Sequence, residues 1–129
     1  MKLAQVKAFL EGQMVFPETA PDIDIQYAYA SDLMSDILTA VQRGALLLTG
    51  LTNNQVIRTG KIAAGSAVVF VRGKKPSQEN VKLAEKFNLP IMCTEFSMFD
   101  ACGILFTHGI KGIPPENRKK VNGKTRGKE

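Results

Sequence analysis

Histidine is nearly missing from this chain of 129 residues: His108 stands alone. A single imidazole with no acid at recognisable spacing gives little basis for acid–base catalysis. Placed before Gly109 at the end of an apolar segment, it suits a helix C-terminus. Cysteine occurs twice, as Cys93 and Cys102, without CxxC spacing. Two such residues make no disulfide framework and supply too few ligands for a zinc or iron–sulfur site. They read as reduced core thiols of a cytoplasmic protein. No apolar run approaches the ~18 residues of a membrane span. The opening MKLAQVKAFLEG is amphipathic, with Lys2 and Lys7, where a signal peptide would carry an apolar block. Neither a Walker sequence nor GxGxxG occurs, and nothing in the residues points to a cofactor.

An excess of one charge is also missing from most of the chain. The formal net charge is +5, yet residues 1–110 hold ten basic and ten acidic side chains. The whole excess lies in residues 111–129, with seven basic and two acidic. The body is therefore no basic nucleic-acid-binding domain. Residues 1–112 are expected to form one α/β domain, with Ile110–Ile113, Pro114 and Pro115 reading as a linker. Residues 113–129 are expected to be a basic, disordered tail. Such a tail either solubilises or touches nucleic acid weakly through unspecific charge.

What is present is organised around Ala45–Gly60, ALLLTGLTNNQVIRTG. An apolar run without alternation suits a strand covered on both faces. The Thr/Gly/Asn turn that follows suits a helix start, with Asn53 as N-cap. The same strand–turn–helix pattern recurs from Ala67 through Arg72-Gly73-Lys74-Lys75-Pro76-Ser77, and from Pro90 through Thr94-Glu95-Phe96-Ser97. Upstream, Lys2–Glu11 predicts a helix ended by Gly12, and Gln13–Phe16 a short strand. Asp22–Ala30 alternates and predicts a half-buried strand near a sheet edge. Ser31 caps a helix over Asp32–Val41 with Leu33, Met34, Ile37, Leu38 and Val41 as its stripe. Gly60 is expected to interrupt the helix after Asn53. Ser97–His108 is apolar around much of its circumference, which predicts that one side meets the sheet and the other a partner subunit.

Strands alternating with helices imply a layered α/β domain with a mainly parallel sheet. In such sheets ligands bind beyond the carboxyl ends of the strands. The Thr49–Asn54 turn there is either an ordinary cap or a cradle of N–H groups and hydroxyls for a phosphate or carboxylate. Arg72, Lys74 and Lys75, with Arg58 on the neighbouring helix, form either a cationic rim or a solvated turn. The ligand-binding candidates are Thr49, Gly50, Asn53, Arg58, Arg72, Lys74 and Ser97. Asp22, Asp24, Asp32 and Asp36 are acid–base or metal candidates, but solvation and capping account for them better.

Four ordered blocks resemble the DRTGG-domain family, in its single-domain branch: Ala30–Leu38, Leu47–Thr59, Val68–Pro76 and Ser97–Gly103. The naming pattern itself is not spelled out. Asp22-Ile23 stands near the Asp-Arg position, and Arg72-Gly73-Lys74 where some relatives have Thr-Gly-Gly. The resemblance implies a three-layer α/β/α fold similar to the N-terminal domain of HPr kinase/phosphorylase. It also implies a regulatory domain without catalytic residues, help in dimerisation, and an association with iron-only hydrogenase and redox-signalling components.

Together these expectations describe a noncatalytic, homodimeric regulatory domain that senses a small anion such as a nucleotide. Its protein partner would belong to redox signalling. A purely structural dimerisation module is the alternative, and a small phosphotransferase a third reading, which would need a base, nucleophile or metal in the strand-end cleft.

Overall fold

The computed structural model of the chain describes residues 1–40 and 43–113. In chain order the elements are α1 (Leu3–Phe9), β1 (Gln13–Phe16), β2 (Tyr27–Ala30), α2 (Met34–Ala40), β3 (Leu46–Thr49), α3 (Asn54–Ile62), β4 (Ala67–Phe70), α4 (Gln78–Phe87), β5 (Ile91–Cys93), α5 (Met98–Thr107) and β6 (Lys111–Gly112). The strands form one sheet in the order β1-β5-β4-β3-β2-β6. β1 runs antiparallel to β5, and the other neighbours pair in parallel. This is the mainly parallel, three-layer α/β/α architecture expected from the sequence.

The unbroken apolar runs of β3 and β4 follow from burial on both faces. Leu46, Leu48 and Val69 pack with Leu3 and Val6 from α1, Leu10 just past it, and Ala101 and Leu105 from α5. Leu47, Val68 and Phe70 point the other way, into Ile37 of α2, Val56 and Ile57 of α3 and Ala84 of α4. Each large aliphatic side chain so buried contributes roughly 1.5–3 kcal/mol. The helix starts are fixed by their caps. Asn53 Oδ1 accepts from Val56 N at 3.1 Å, and Ser97 Oγ from Asp100 N at 3.1 Å. Ser77 and Asn80 close a reciprocal box at 3.1 and 2.9 Å. Among the described residues no helix is long and apolar enough to cross a membrane.

Several local expectations need correction. The alternating stretch from Asp22 is a strand only over Tyr27–Ala30, though it does lie near the sheet edge, one place in. The edge is β6, formed by Lys111 and Gly112 inside the expected linker; Ile110 and Ile113 beside it are buried. Gly12 is not the left-handed residue after α1: Glu11 takes that role, with φ +50°. A Cβ on Gly12 would stand 3.1 Å from the Cys93 carbonyl oxygen, so closeness to β5 accounts for the glycine. Gly60 does not interrupt its helix but lies within α3, under Leu89 and Val68. Among the described side chains of α2 Ile37 alone is fully buried, while Leu38 and, just before the helix, Leu33 face water. Val41 and the tail from residue 114 lie outside the described residues.

Candidate functional site

The register levels four strand ends. Thr49 is paired with Phe70 and Phe70 with Cys93, while Ala30 is paired with Leu48. The turns leaving β2, β3, β4 and β5 therefore open on one rim. Backbone bonds tie them together. Ser31 N donates to Leu48 O at 3.1 Å and Val71 N to Thr49 O at 3.0 Å. Arg72 N donates to Phe96 O at 2.8 Å and Gly73 N to Thr94 O at 2.9 Å. These last two bonds hold Arg72 and Gly73 in consecutive left-handed conformations, φ +61° and +68°.

At the centre of the rim is the Asp32 carboxylate. Gly50 N–H donates to its Oδ1 at 2.7 Å, and the buried Thr49 hydroxyl donates to the same oxygen at 3.1 Å. The Arg72 guanidinium reaches Oδ2 at 3.4 Å. A Cβ at Gly50 would overlap that guanidinium, so the glycine gives it room to lie across the turn. Gly73 does the same for Glu95, whose Oε1 would be 2.6 Å from an added Cβ. The Gly50 N–H bond, then the Thr49 hydroxyl and Arg72, hold Asp32 below the usual carboxylate range, against an opposing contribution from burial. Three donors converging on one carboxylate make a small anion cradle, occupied by the chain's own side chain.

Of the seven ligand candidates, Thr49, Gly50 and Arg72 meet in this cradle. Asn53 and Ser97 stand on the same rim, each with its side chain accepting from the helix it caps. The turn has a further internal bond, from Leu51 N to Thr49 Oγ1 at 3.2 Å. Arg58 lies one turn into α3 and Lys74 in the loop after β4. Both are exposed, and among the described residues no side-chain bond joins either to the cradle. Asp32 is the member that sequence reasoning assigned to capping and solvation. Its signal was the rule used for Thr49: a polar residue just past a strand end.

The other chemistry-bearing residues have structural roles. His108 caps the far end of α5. Its Nδ1 is 2.9 Å from the Ile104 carbonyl, so that nitrogen carries the proton, and its ring stacks on Phe9 at 3.8 Å between centroids. Asp22 and Asp24 pair with Lys2 at 2.9 and 3.3 Å, all in water. Cys93 and Cys102 are free thiols, and burial pushes both up from the ordinary thiol value. Cys93 lines a polar cleft of about 180 Å³ with Lys75, Thr94 and Glu95. Among the described residues no three His, Cys, Asp or Glu side chains gather where they could hold a metal.

No family model and no curated protein matches the chain. Among solved structures, the chain is similar to the CBS and DRTGG domains of the regulatory region of Clostridium perfringens pyrophosphatase, complexed with the activator diadenosine tetraphosphate. The superposition has a TM-score of 0.65 at 16% identity and covers 94% of this chain. The fold is DRTGG-like. The chain spans 51% of the pyrophosphatase chain, so about half of that regulatory region has no counterpart here. At this identity the likeness is one of fold, and it matches the fold implied by the four sequence blocks.

Proposed function

We propose that the chain is a noncatalytic regulatory domain, and that a small anion competes with Asp32 for the Thr49–Gly50–Arg72 cradle. A phosphate or carboxylate needs the three donors that Asp32 now uses: a backbone N–H at a strand end, a hydroxyl and a guanidinium. That shared demand is the observation carrying the reading. A nucleotide or phosphorylated metabolite fits best, because Lys74 and Arg58 are cations available for further phosphate charge. The activator named for the pyrophosphatase region, a dinucleoside polyphosphate, belongs to the same class. The regulatory role is proposed to include self-association and a protein partner of the redox-signalling class that the family resemblance implies.

Calorimetric titration of the full chain with ATP, diadenosine tetraphosphate and inorganic phosphate tests the competition. Asp32→Ala removes the resident carboxylate and is expected to tighten binding about 10-fold, the worth of one charge-assisted hydrogen bond. Arg72→Ala is expected to abolish it. Silence from both the wild type and Asp32→Ala across the panel overturns the sensing role.

A second reading is favoured by Phe99 and Phe106, which stand in water on α5. In that reading the domain is purely a dimerisation module, associating whether or not any anion is present.

A further inference from the structure

Two cavities on the sheet have opposite linings. The larger, about 440 Å³, is an apolar groove between α5 and the β2–β6 side of the sheet. Ala28, Ala30 and Leu48 form its floor and Phe99, Cys102 and Phe106 its α5 wall. Lys111 is the only charged residue lining it, so its chemistry selects no ligand. The smaller is the polar cleft of about 180 Å³ beside Cys93, and its place in the topology is particular. From β4 the chain goes on to α4, which packs on one face of the sheet, and from β5 to α5, which packs on the other. Neighbouring parallel strands whose connections leave to opposite faces part at their carboxyl ends, and ligands of open α/β sheets sit in the crevice so formed. β4 and β5 are such a pair. Because β1 runs antiparallel to β5, with Gln13 opposite Cys93, the turn between α1 and β1 closes the crevice from the third side.

Charges of both signs line the cleft: Lys75 after β4, Glu95 after β5 and Glu11 in the α1–β1 turn, with Gln13 beside them and Cys93 and Thr94 buried as the floor. The backbone makes provision for both carboxylates. Glu11 stands in the left-handed region, at φ +50°, where glycine would be under less strain. Glu95 lies against Gly73, in space that a Cβ would take. Burial chiefly raises the Cys93 thiol, with Lys75 acting against that shift and Glu95 adding to it, so both charges are close to the floor. The Thr94 hydroxyl is committed to the Leu10 carbonyl. Among the described residues, Lys75, Glu11 and Glu95 have neither an ion pair nor a side-chain hydrogen bond.

The geometry points to a binding site for a small α-amino acid held as its zwitterion, with the carboxylate at Lys75 and the ammonium between Glu11 and Glu95. A cavity of ~150 Å³ takes a molecule of benzene's size, so the cleft's 180 Å³ admits glycine, alanine or serine and no bulky side chain. A phosphate or a dicarboxylate meets two like charges against one opposite. A bare divalent cation meets Lys75 and, among the described residues, no three side chains able to hold it. A ligand carrying both charges on one carbon gives all three side chains a charge-assisted partner. The cleft shares no residue with the Asp32 cradle, so it is a second input that stands or falls by itself.

Titration of the isotope-labelled full chain with L-serine, followed by the amide shifts in NMR spectra, tests the site. Serine is expected to move the amides of Gly12, Thr94 and Glu95 with a Kd on the order of 1 mM, and L-tryptophan, too large for the cleft, to leave them in place. Methylamine and acetate, which carry one charge each, are expected to bind at least ~10-fold more weakly than serine. Lys75→Gln and Glu95→Gln, both on exposed side chains, are each expected to weaken serine about 10-fold. Lys82→Gln, the same change of charge on α4, is expected to leave it unchanged. Glu11→Gly is expected to weaken serine as much without lowering the melting temperature, because glycine suits that backbone. Unmoved amides in the wild type at about 20 mM serine overturn the site. Methylamine binding as tightly as serine overturns it in favour of a simple cation site. Binding that survives both Lys75→Gln and Glu95→Gln overturns its placement in this cleft.

Discussion

The rim and the groove satisfy their surfaces in opposite ways. At the rim every strong donor of the Thr49–Gly50 turn has a partner inside the chain, and a carboxylate from α2's approach completes it. In the groove, an apolar floor and an apolar wall face each other. Polar groups can be settled by any well-placed side chain or by water. Apolar area can be settled only by being covered. On the proposed reading, the first region is a site that a small anion competes for, and the second is an apolar face suited to burial.

Breaking the groove should have the largest effect. Joining Phe99→Glu and Phe106→Glu in one chain is expected to weaken the proposed self-association by about 4 kcal/mol, twice the hot-spot threshold, with the melting temperature of the single chain barely changed by calorimetry. Next comes a bond behind the rim. Thr94 is buried, donates to the Leu10 carbonyl at 2.6 Å and accepts from Phe96 N at 3.3 Å. Thr94→Val leaves that carbonyl unpaired and is expected to cost about 2 kcal/mol in urea unfolding.

Asp32→Ala should cost less, about 1 kcal/mol, because carboxylate and guanidinium are both partly in water. Its signature is the pH dependence. The folded-state pKa of Asp32 is depressed. Its contribution is thus fully present above the unfolded value of about 3.9 and is lost as pH falls through the lower folded value. The melting curves of wild type and variant are expected to differ at neutral pH and to converge in acid. Convergence at neutral pH would show that the cradle holds Asp32 no better than water does. Smallest is Leu33→Gln, on a side chain 56% exposed, expected to change stability by less than about 0.5 kcal/mol.

The repeating strand–turn–helix units were legible because each carries its own local chemistry. Apolar runs end in Thr49, Val71 and Cys93, and caps stand at Asn53, Ser77 and Ser97. The rim was legible for the same reason, since parallel neighbours must end side by side. β6 was not: two residues have no period, and the strand exists only because Lys111 N finds Gln26 O after α5 has turned the chain back. The place of Asp32 was hidden because its partners are 17, 18 and 40 residues away. The exposure of Leu33 and Leu38 was hidden because apolar spacing along a helix does not say which of its apolar residues the next layer covers.

The turn after β4 asks for glycine at position 72, where φ is +61°, while the rim asks there for a guanidinium. Arginine meets the second demand against the first, at about 1 kcal/mol of backbone strain. Selection of this chain for heat resistance alone would drift toward glycine at that position, relaxing the loop and silently erasing the rim's positive pole. On the proposed reading, thermal tolerance and anion response are thereby set against each other in one residue.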